Sequence, residues 1–265
     1  QDMNEDTILE VALFGYDVDE GDVLAFAVDD TDNAIVSVAG NILTIDPDDD
    51  YNGSLTIIVS ISDDDEAPLS DLTSFDVIVN PVNDAPELTF IEDQTALEDG
   101  DSLVLTLSAT EIDVGDILTY TAGVNGNADV SVDGEDLTID PDDDFNGDIQ
   151  VTVFVSDGDL SDSQTFTLSV TPVNDTPVLI VDNVVEFDED SSATISYNAS
   201  DVDGDTLTPT LTACTFNSGD VTATLDGSTI SFNTSDNYNG TGNCFTLMVD
   251  DGTVDETVSS SLTQI

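Results

Sequence analysis

The ten residues TIDPDDDYNG at 44–53 return as TIDPDDDFNG at 138–147, a spacing of 94, and once more in weaker form as SFNTSDNYNG at 231–240. Other landmarks keep the same order around them. DVDEGD at 17–22 becomes EIDVGD at 111–116 and DVDGD at 201–205, and a Glu-Asp pair recurs as Glu5-Asp6, Glu98-Asp99 and Glu189-Asp190. PVNDAP at 81–86 returns as PVNDTP at 172–177. A period of about 90 residues with a fixed order of landmarks is a tandem array, so the chain must solve one folding problem three times. A single large core is excluded.

Within a repeat the hydrophobic period is that of strands. Ile149, Val151, Val153 and Val155 alternate with Gln150, Thr152, Phe154 and Ser156, and Phe166, Leu168 and Val170 alternate with Thr167 and Ser169. Leu103, Leu105, Leu107 and Ala109 do the same earlier, with Asp/Gly/Asn turn clusters between runs and no helical stripe. The fold class is all-β: a tandem array of three seven-stranded immunoglobulin-like Greek-key sandwiches, strands A to G. With 39% apolar residues, 6% aromatics and no tryptophan, each core is built from Val, Ile and Leu around single Phe or Tyr anchors.

Charge constrains function more than fold. There is no Lys, Arg or His against 59 acidic residues, 47 of them Asp, for a formal charge of −59. No salt bridge between side chains can form. Two carboxylates about 4 Å apart repel by roughly 1 kcal/mol in water and by more at lower dielectric. Clusters at fixed points of a repeat therefore need neutralising from outside the chain. All-oxygen ligands without His or thiolate point to Ca²⁺ over zinc, iron or copper. Nucleic acid and direct insertion in an anionic membrane are excluded, since nothing here neutralises a phosphate and no apolar run approaches about 20 residues. With no cationic base and no nucleophile pairing, an enzyme is not expected.

Strand direction brings the acidic elements together. The segment after strand B and the F–G loop lie at the upper end of a sandwich. The Glu-Asp pair before strand B and the DPDDD run before strand F lie at the lower end, beside the exit to the next repeat. At the first joint the expected ligands are Glu5, Asp6, Asp46, Asp48 to Asp50, Asn83, Asp84, Glu111 and Asp113, with Asp157 as an addition from the F–G loop. At the second they are Glu98, Asp99, Asp140, Asp142 to Asp144, Asn174, Asp175, Asp201 and Asp203, with Asp250 as the addition. The set exceeds the six to eight oxygens of one Ca²⁺, so more than one ion per joint is expected.

The ordered set Glu-Asp, DxDGD, DPDDDFNG, VSDG, PVNDxP resembles the cadherin-like tandem repeats of large bacterial surface adhesins, the VCBS and RTX-adhesin type. The resemblance covers the whole chain as repeats 1–82, 83–173 and 174–265. It implies Ca²⁺ between successive domains, an extended stalk as the product, and secretion to the cell surface or extracellular matrix. Neighbouring repeats, or copies of the chain head to tail, are the implied partners. Repeat 1 begins after the position corresponding to strand A, expected over Leu88–Ile91, so this strand is either supplied by a neighbour or belongs to a longer array, the preferred expectation. In the third repeat Asn233, Ser235 and Asn237 replace aspartates and only Asp236 remains, which weakens a site at its lower end.

Three further expectations follow. Cys214 and Cys244 fall on strands C and F, neighbours in one sheet, and are expected to form a disulfide closing a 31-residue loop. Tyr51, Phe145 and Tyr238 are expected as structural plugs rather than sugar platforms, and Asn52, Asn198, Asn233 and Asn239 lie in glycosylation sequons. Against the stalk stand two alternatives. One is a filament subunit whose missing strand comes from a neighbour by β-augmentation. The other is a glycan- or surface-binding module, for which exposed aromatic pairs or flat Thr rows are not evident.

Overall fold

The alternating runs are strands, and each buries one face. In the computed structural model, which describes residues 1–19, 21–64, 68–188, 190–214, 220–238, 240, 243–253 and 257–264, the strands group around three separate hydrophobic cores.

The first group contains β1 (Asp2–Asn4), β2 (Leu9–Ala12), β3 (Ala25–Val28), β4 (Ala34–Ala39), β5 (Ile42–Pro47), β6 (Gly53–Ser62) and β7 (Ser70–Asn80). They form a sheet β1-β7-β6-β3 facing a sheet β2-β5-β4. Alternation sets the register: Leu55, Ile57 and Val59 of β6 turn inward against Leu43 and Ile45 of β5, while Ser54, Thr56 and Ile58 face out. Each fully buried side chain of this size stabilises by about 1.5–3 kcal/mol.

The second group has β8 (Glu87–Leu88), β9 (Gln94–Leu97), β10 (Leu103–Thr106), β11 (Ala109–Thr110), β12 (Thr119–Val124), β13 (Ala128–Asp133), β14 (Asp136–Pro141), β15 (Gly147–Ser156) and β16 (Ser161–Thr171). Its main sheets are β12-β15-β16-β9 and β10-β14-β13, with β8 paired to β11 at the upper edge. The third has β17 (Val178–Val181), β18 (Val184–Val185), β19 (Ser192–Ser200), β20 (Thr208–Ala213), β21 (Val221–Asp226), β22 (Thr229–Thr234), β23 (Asn243–Asp250) and β24 (Thr257–Gln264). They form sheets β17-β19-β22-β21 and β18-β24-β23-β20. Its core holds Phe232 and Phe245 edge to face, with centroids 5.7 Å apart.

The architecture is the expected immunoglobulin-like sandwich in tandem, with one refinement. The opening strand divides: β8 and β17 lie antiparallel to β11 and β19, then β9 and β18 cross to the other sheet and run parallel to β16 and β24. In the first sandwich the described residues form the second half, as β1 parallel to β7. No counterpart of β8 stands beside Gly15 and Tyr16 among the described residues. The hairpins β4–β5, β13–β14 and β21–β22 all turn on a glycine with positive φ: Gly40, Gly134 and Gly227 at 66°, 63° and 58°. A side chain is strained there, which accounts for glycine at the same point of each repeat.

Candidate cation sites at the joints

Each joint is built outward from a buried glutamate. Glu5 is 2% exposed and Glu98 1%, with no cationic side chain in the sequence to pair either. Hydrogen bonds to the ionised carboxylate replace the lost water. Glu5 Oε1 accepts from the Val82 amide at 2.5 Å and Oε2 from Asn52 Nδ2 at 3.1 Å. Glu98 does the same with the Val173 amide at 2.6 Å and Asn146 Nδ2 at 3.0 Å. A charge thus fastens the linker to the loop that follows the DPDDD run.

The next residue points its carboxylate into the joint. Asp6 and Asp99 sit in the left-handed region, φ 56° and 53°, as do Asp50 and Asp144, both at 58°. Asp is one of the few residues that tolerate this conformation. The Asp50 amide donates to Asp6 Oδ1 at 3.2 Å, and the Asp144 amide to Asp99 Oδ1 at 3.0 Å.

The downstream sandwich grips the other side of the linker. The Asp84 amide donates to Asp113 Oδ2 at 2.8 Å and Asn83 Nδ2 to Asp157 Oδ2 at 2.9 Å. At the second joint the Asp175 amide donates to Asp203 Oδ2 at 2.7 Å and Asn174 Nδ2 to Asp251 Oδ2 at 3.1 Å. The Asp-Gly turn after β15 holds Asp157 ready, its Oδ1 accepting from the Asp159 and Leu160 amides, both at 2.7 Å. Those amides, with Asn83, hold the Asp157 carboxyl below its ordinary range; the Thr253 amide and Asn174 do so for Asp251.

The remaining carboxylates are crowded and incompletely paired. Oxygens of Asp6, Asp50 and Asp84 lie within 4.8 Å of one another, as do those of Glu111, Asp113 and Asp116. At the second joint Asp99, Asp144 and Asp175 form one such group and Glu98, Asp175 and Asp203 another. Loss of water, then neighbouring carboxylates, pushes Asp50, Asp84, Asp144 and Asp175 above the usual carboxylate range. Among the described residues four buried carboxylate oxygens have no hydrogen-bond partner: Asp84 Oδ2 and Glu111 Oε2 at the first joint, Asp175 Oδ2 and Asp201 Oδ2 at the second. They occupy equivalent positions in the repeat. An unpaired buried acceptor, and a charged one above all, is costly. A hard cation fits this all-oxygen set.

The structure divides the expected ligands. It brings together Asp6, Asp50, Asp84, Glu111 and Asp113 at one joint, and Glu98, Asp99, Asp144, Asp175 and Asp203 at the other, with Asp201 fixing the Asp203 amide at 3.0 Å. Asn83 and Asn174 act first as donors and clip the linker. Asp48 and Asp142 make the turn itself: the amide of each donates to the Asn33 or Asn127 carbonyl, and their carbonyls accept from Tyr51 and Phe145. Asp140 accepts from Ser102 Oγ at 2.9 Å, and Asp46 lies on β5 opposite Ile35. One expectation is corrected by a single position. Asp251, 7% exposed, does at the second joint what Asp157 does at the first, while Asp250 takes the place of Ser156 and accepts from the Gly252 amide at 2.7 Å.

Sequence reasoning missed Asn52 and Asn146, which stand in the repeated aromatic-Asn-Gly triplet and could have been matched to the Glu-Asp pair. It also missed Asp116, visible as the last residue of EIDVGD. Since Asn52 is held by Glu5, its sequon serves the fold; Glu189 and Asn239 lie outside the described residues. Tyr51, Phe145 and Tyr238 pack against the three cores as plugs. Tyr51 lies so close over Gly53 that a Cβ there would come within 2.8 Å of its hydroxyl. A disulfide joins Cys214, the residue just past the end of β20 and not on the strand as expected, to Cys244 of the neighbouring β23, with Cα atoms 5.3 Å apart.

Comparison with known proteins agrees with this architecture. The family described as bacterial Ig domain matches residues 83–169 and 174–263. Among solved structures, mouse Cadherin-23 EC22-24 is similar at 14% identity and TM-score 0.57, over 99% of this chain and 92% of that one. PcdhgB3 EC1-4 is similar at 16% identity and TM-score 0.52, over 100% and 74%. At such identities the likeness concerns the fold. No curated protein matches the chain.

Proposed function

The chain belongs to the bacterial Ig domain family, and from that premise we propose that it is a structural stalk segment of an extracellular adhesin or surface fibre, rigidified at its joints by Ca²⁺. The repeating units are 1–82, 83–173 and 174–265. The observation that carries this reading is the set of four buried, unpartnered carboxylate oxygens, two at each joint and at equivalent repeat positions.

The division of labour follows from the contacts. Glu5 and Glu98 hold the linker to the upstream sandwich, and Asp113, Asp157, Asp203 and Asp251 hold it to the downstream one. Asp6, Asp50, Asp84 and Glu111 would hold the ions of the first joint; Asp99, Asp144, Asp175 and Asp201 those of the second. Bound calcium supplies the positive charge and the coordination for about six to eight oxygens that the chain cannot provide itself. Without it, carboxylates of one sign face each other across each linker and the sandwiches bend about it. The prolines at 81, 86, 172 and 177 limit that freedom beforehand.

Ions that bind only the folded state also stabilise it, by about 2.7 kcal/mol per site at a hundredfold excess over the dissociation constant. Small-angle scattering and thermal melting of the chain, with Ca²⁺ and with chelator, test the reading. Calcium is expected to lengthen the particle and raise its melting temperature. Unchanged dimensions and an unchanged melting temperature would overturn it.

A further inference from the structure

The second sandwich carries an open cavity of about 600 Å³ at the corner where the opening strand leaves β8 for β9. Leu88 and Phe90 line it together with Thr110, Asp162, Ser163 and Thr165, and none of the joint carboxylates does. Its volume is that of a small-molecule site. The corner is held firmly. Gln164 grips the crossing backbone in both directions, Oε1 accepting from the Ile91 amide at 3.0 Å and Nε2 donating to the Ile91 carbonyl at 2.7 Å. Asp162 Oδ2 accepts from the Leu88 amide at 2.9 Å and its Oδ1 from the Ser163 amide at 2.7 Å. Between these two clamps Phe90 is 76% exposed, so its ring adds little to the core.

A second ring borders the same strand. Phe154, 43% exposed, is the cross-strand partner of Ser163, and the Thr152 and Thr165 hydroxyls beside it are bonded to each other at 2.8 Å. β16 thus runs between β15 with Phe154 and the Phe90 segment that leads into β9. The fold requires neither ring. Val181 and Met248 stand in their places in the third sandwich, and Ser60 replaces Phe154 in the first. The surface is also nearly free of charge. Asp148 is the one carboxylate among the outward side chains of β12, β15 and β16, whereas Asp129, Asp133, Asp136 and Asp140 face out from the opposite sheet.

An uncharged sugar chain suits these groups. Its C–H faces stack on the exposed rings, and its hydroxyls find acceptors in Asp162 and the exposed Glu87 and donors in Ser163 and Thr165. The Thr152–Thr165 pair spends one of its two protons and leaves the other to donate. Anionic polysaccharides and phosphate headgroups are repelled by the formal charge of −59, and a basic protein is drawn to the carboxylate-rich surfaces instead. We propose that this corner binds a neutral polysaccharide of extended, equatorially linked hexoses, with one unit stacked on Phe90 in the cavity and a later unit on Phe154. Rings on opposite sides of one strand suit a chain of units rather than a single sugar. Because no joint carboxylate takes part, this inference and the calcium reading fail separately.

The test titrates the whole chain with cellohexaose, in chelator and at low and high salt, and follows amide chemical shifts. Saturable binding with shifts centred on Phe90, Phe154 and Thr165 is expected, and it should not respond to salt, since the ligand has no charge to screen. Phe90→Ala should weaken binding about tenfold at an unchanged melting temperature, the loss of roughly half the burial of an aromatic side chain. Phe154→Met, which installs the residue of the third sandwich, should weaken it by a smaller factor. Maltohexaose, whose linkages curl the chain, should bind more weakly than cellohexaose. Absence of cellohexaose binding, equal affinity of the parent and Phe90→Ala, or a preference for maltohexaose would each overturn the proposal. Self-association that Phe90→Ala abolishes, without sugar binding, would overturn it too and make the corner a contact between copies of the chain.

Discussion

The lower ends of the second and third sandwiches use one scaffold and close it by different means. In the second, Asp99 accepts from the Asp144 amide and Glu98 from Val173 and Asn146, so the end is gathered by carboxylates and continues into a joint. In the third, Asp190 accepts from the Asn237 amide at 2.7 Å with the same left-handed backbone, φ 55° and 56°. The second carboxylate has become an amide. Asn125 and Gln150 of the second sandwich, paired through the Gln150 amide at 3.1 Å and the Asn125 amide at 3.2 Å, become Cys214 and Cys244 in the third. The Cys214 amide still donates to the Cys244 carbonyl at 3.0 Å. Where an amide replaces the second carboxylate, the same end carries a covalent bridge. Backbone geometry at this end is common to both repeats; the chemistry that holds it is not.

The largest effect expected from this contrast is that of reducing agent. Opening the bridge restores freedom to a 31-residue loop, worth roughly 3–4 kcal/mol in the chain-entropy picture. Differential scanning calorimetry should show the third sandwich alone moving to lower temperature. An equal loss in all three would remove the contrast.

Glu98→Ala probes the other side. It leaves the Val173 amide and Asn146 Nδ2 without their acceptor, a loss of about 3 kcal/mol for two bonds to a charged group. Denaturant unfolding in chelator should find the second sandwich weakened and the third unchanged. Glu98→Gln, which keeps an acceptor but removes the charge, should lie between. If Ala and Gln behave alike and both are neutral, the buried glutamate is not what fastens the linker.

How much of this could be foreseen depends on what a repeat can show. Alternation in the β15 and β16 segments fixes strands and the inward face, because one buried face admits one register. Aligning the two PVNDxP stretches places Asp84 and Asp175 at the joints. The division of DPDDD into turn formers, Asp48 and Asp142, and joint carboxylates, Asp50 and Asp144, was not legible. It depends on a left-handed backbone at Asp50 and Asp144 that three aspartates in a row do not mark. Asp250 and Asp251 could not be told apart for a similar reason, since both precede Gly252 and only the turn decides which carboxylate faces Asn174. The split opening strand escaped notice because a two-residue strand such as Glu87–Leu88 carries no period.

The smallest expected effect is that of acid, and it separates the two ends by sign and place. Asp144 and Asp175 are raised above the ordinary 3.8, so between 3.8 and their folded values the folded chain binds more protons than the unfolded. Stability without cation therefore falls as pH rises through that window, and acidification from neutrality strengthens the second joint. Below 3.8 the sense reverses, because Asp251 is lowered and its contribution is lost as pH falls through its folded value. Asn237 does not titrate, so the lower end of the third sandwich should lack the first of these responses. Asn237→Asp should create it, at a cost on the order of 1 kcal/mol at neutral pH, the repulsion of two carboxylates about 4 Å apart in water. Melting in chelator across this pH range, for the parent chain and the variant, checks the difference. If the variant melts like the parent at every pH, Asp190 and residue 237 do not face each other closely enough to be a carboxylate pair, and the two lower ends are less alike than their shared backbone implies.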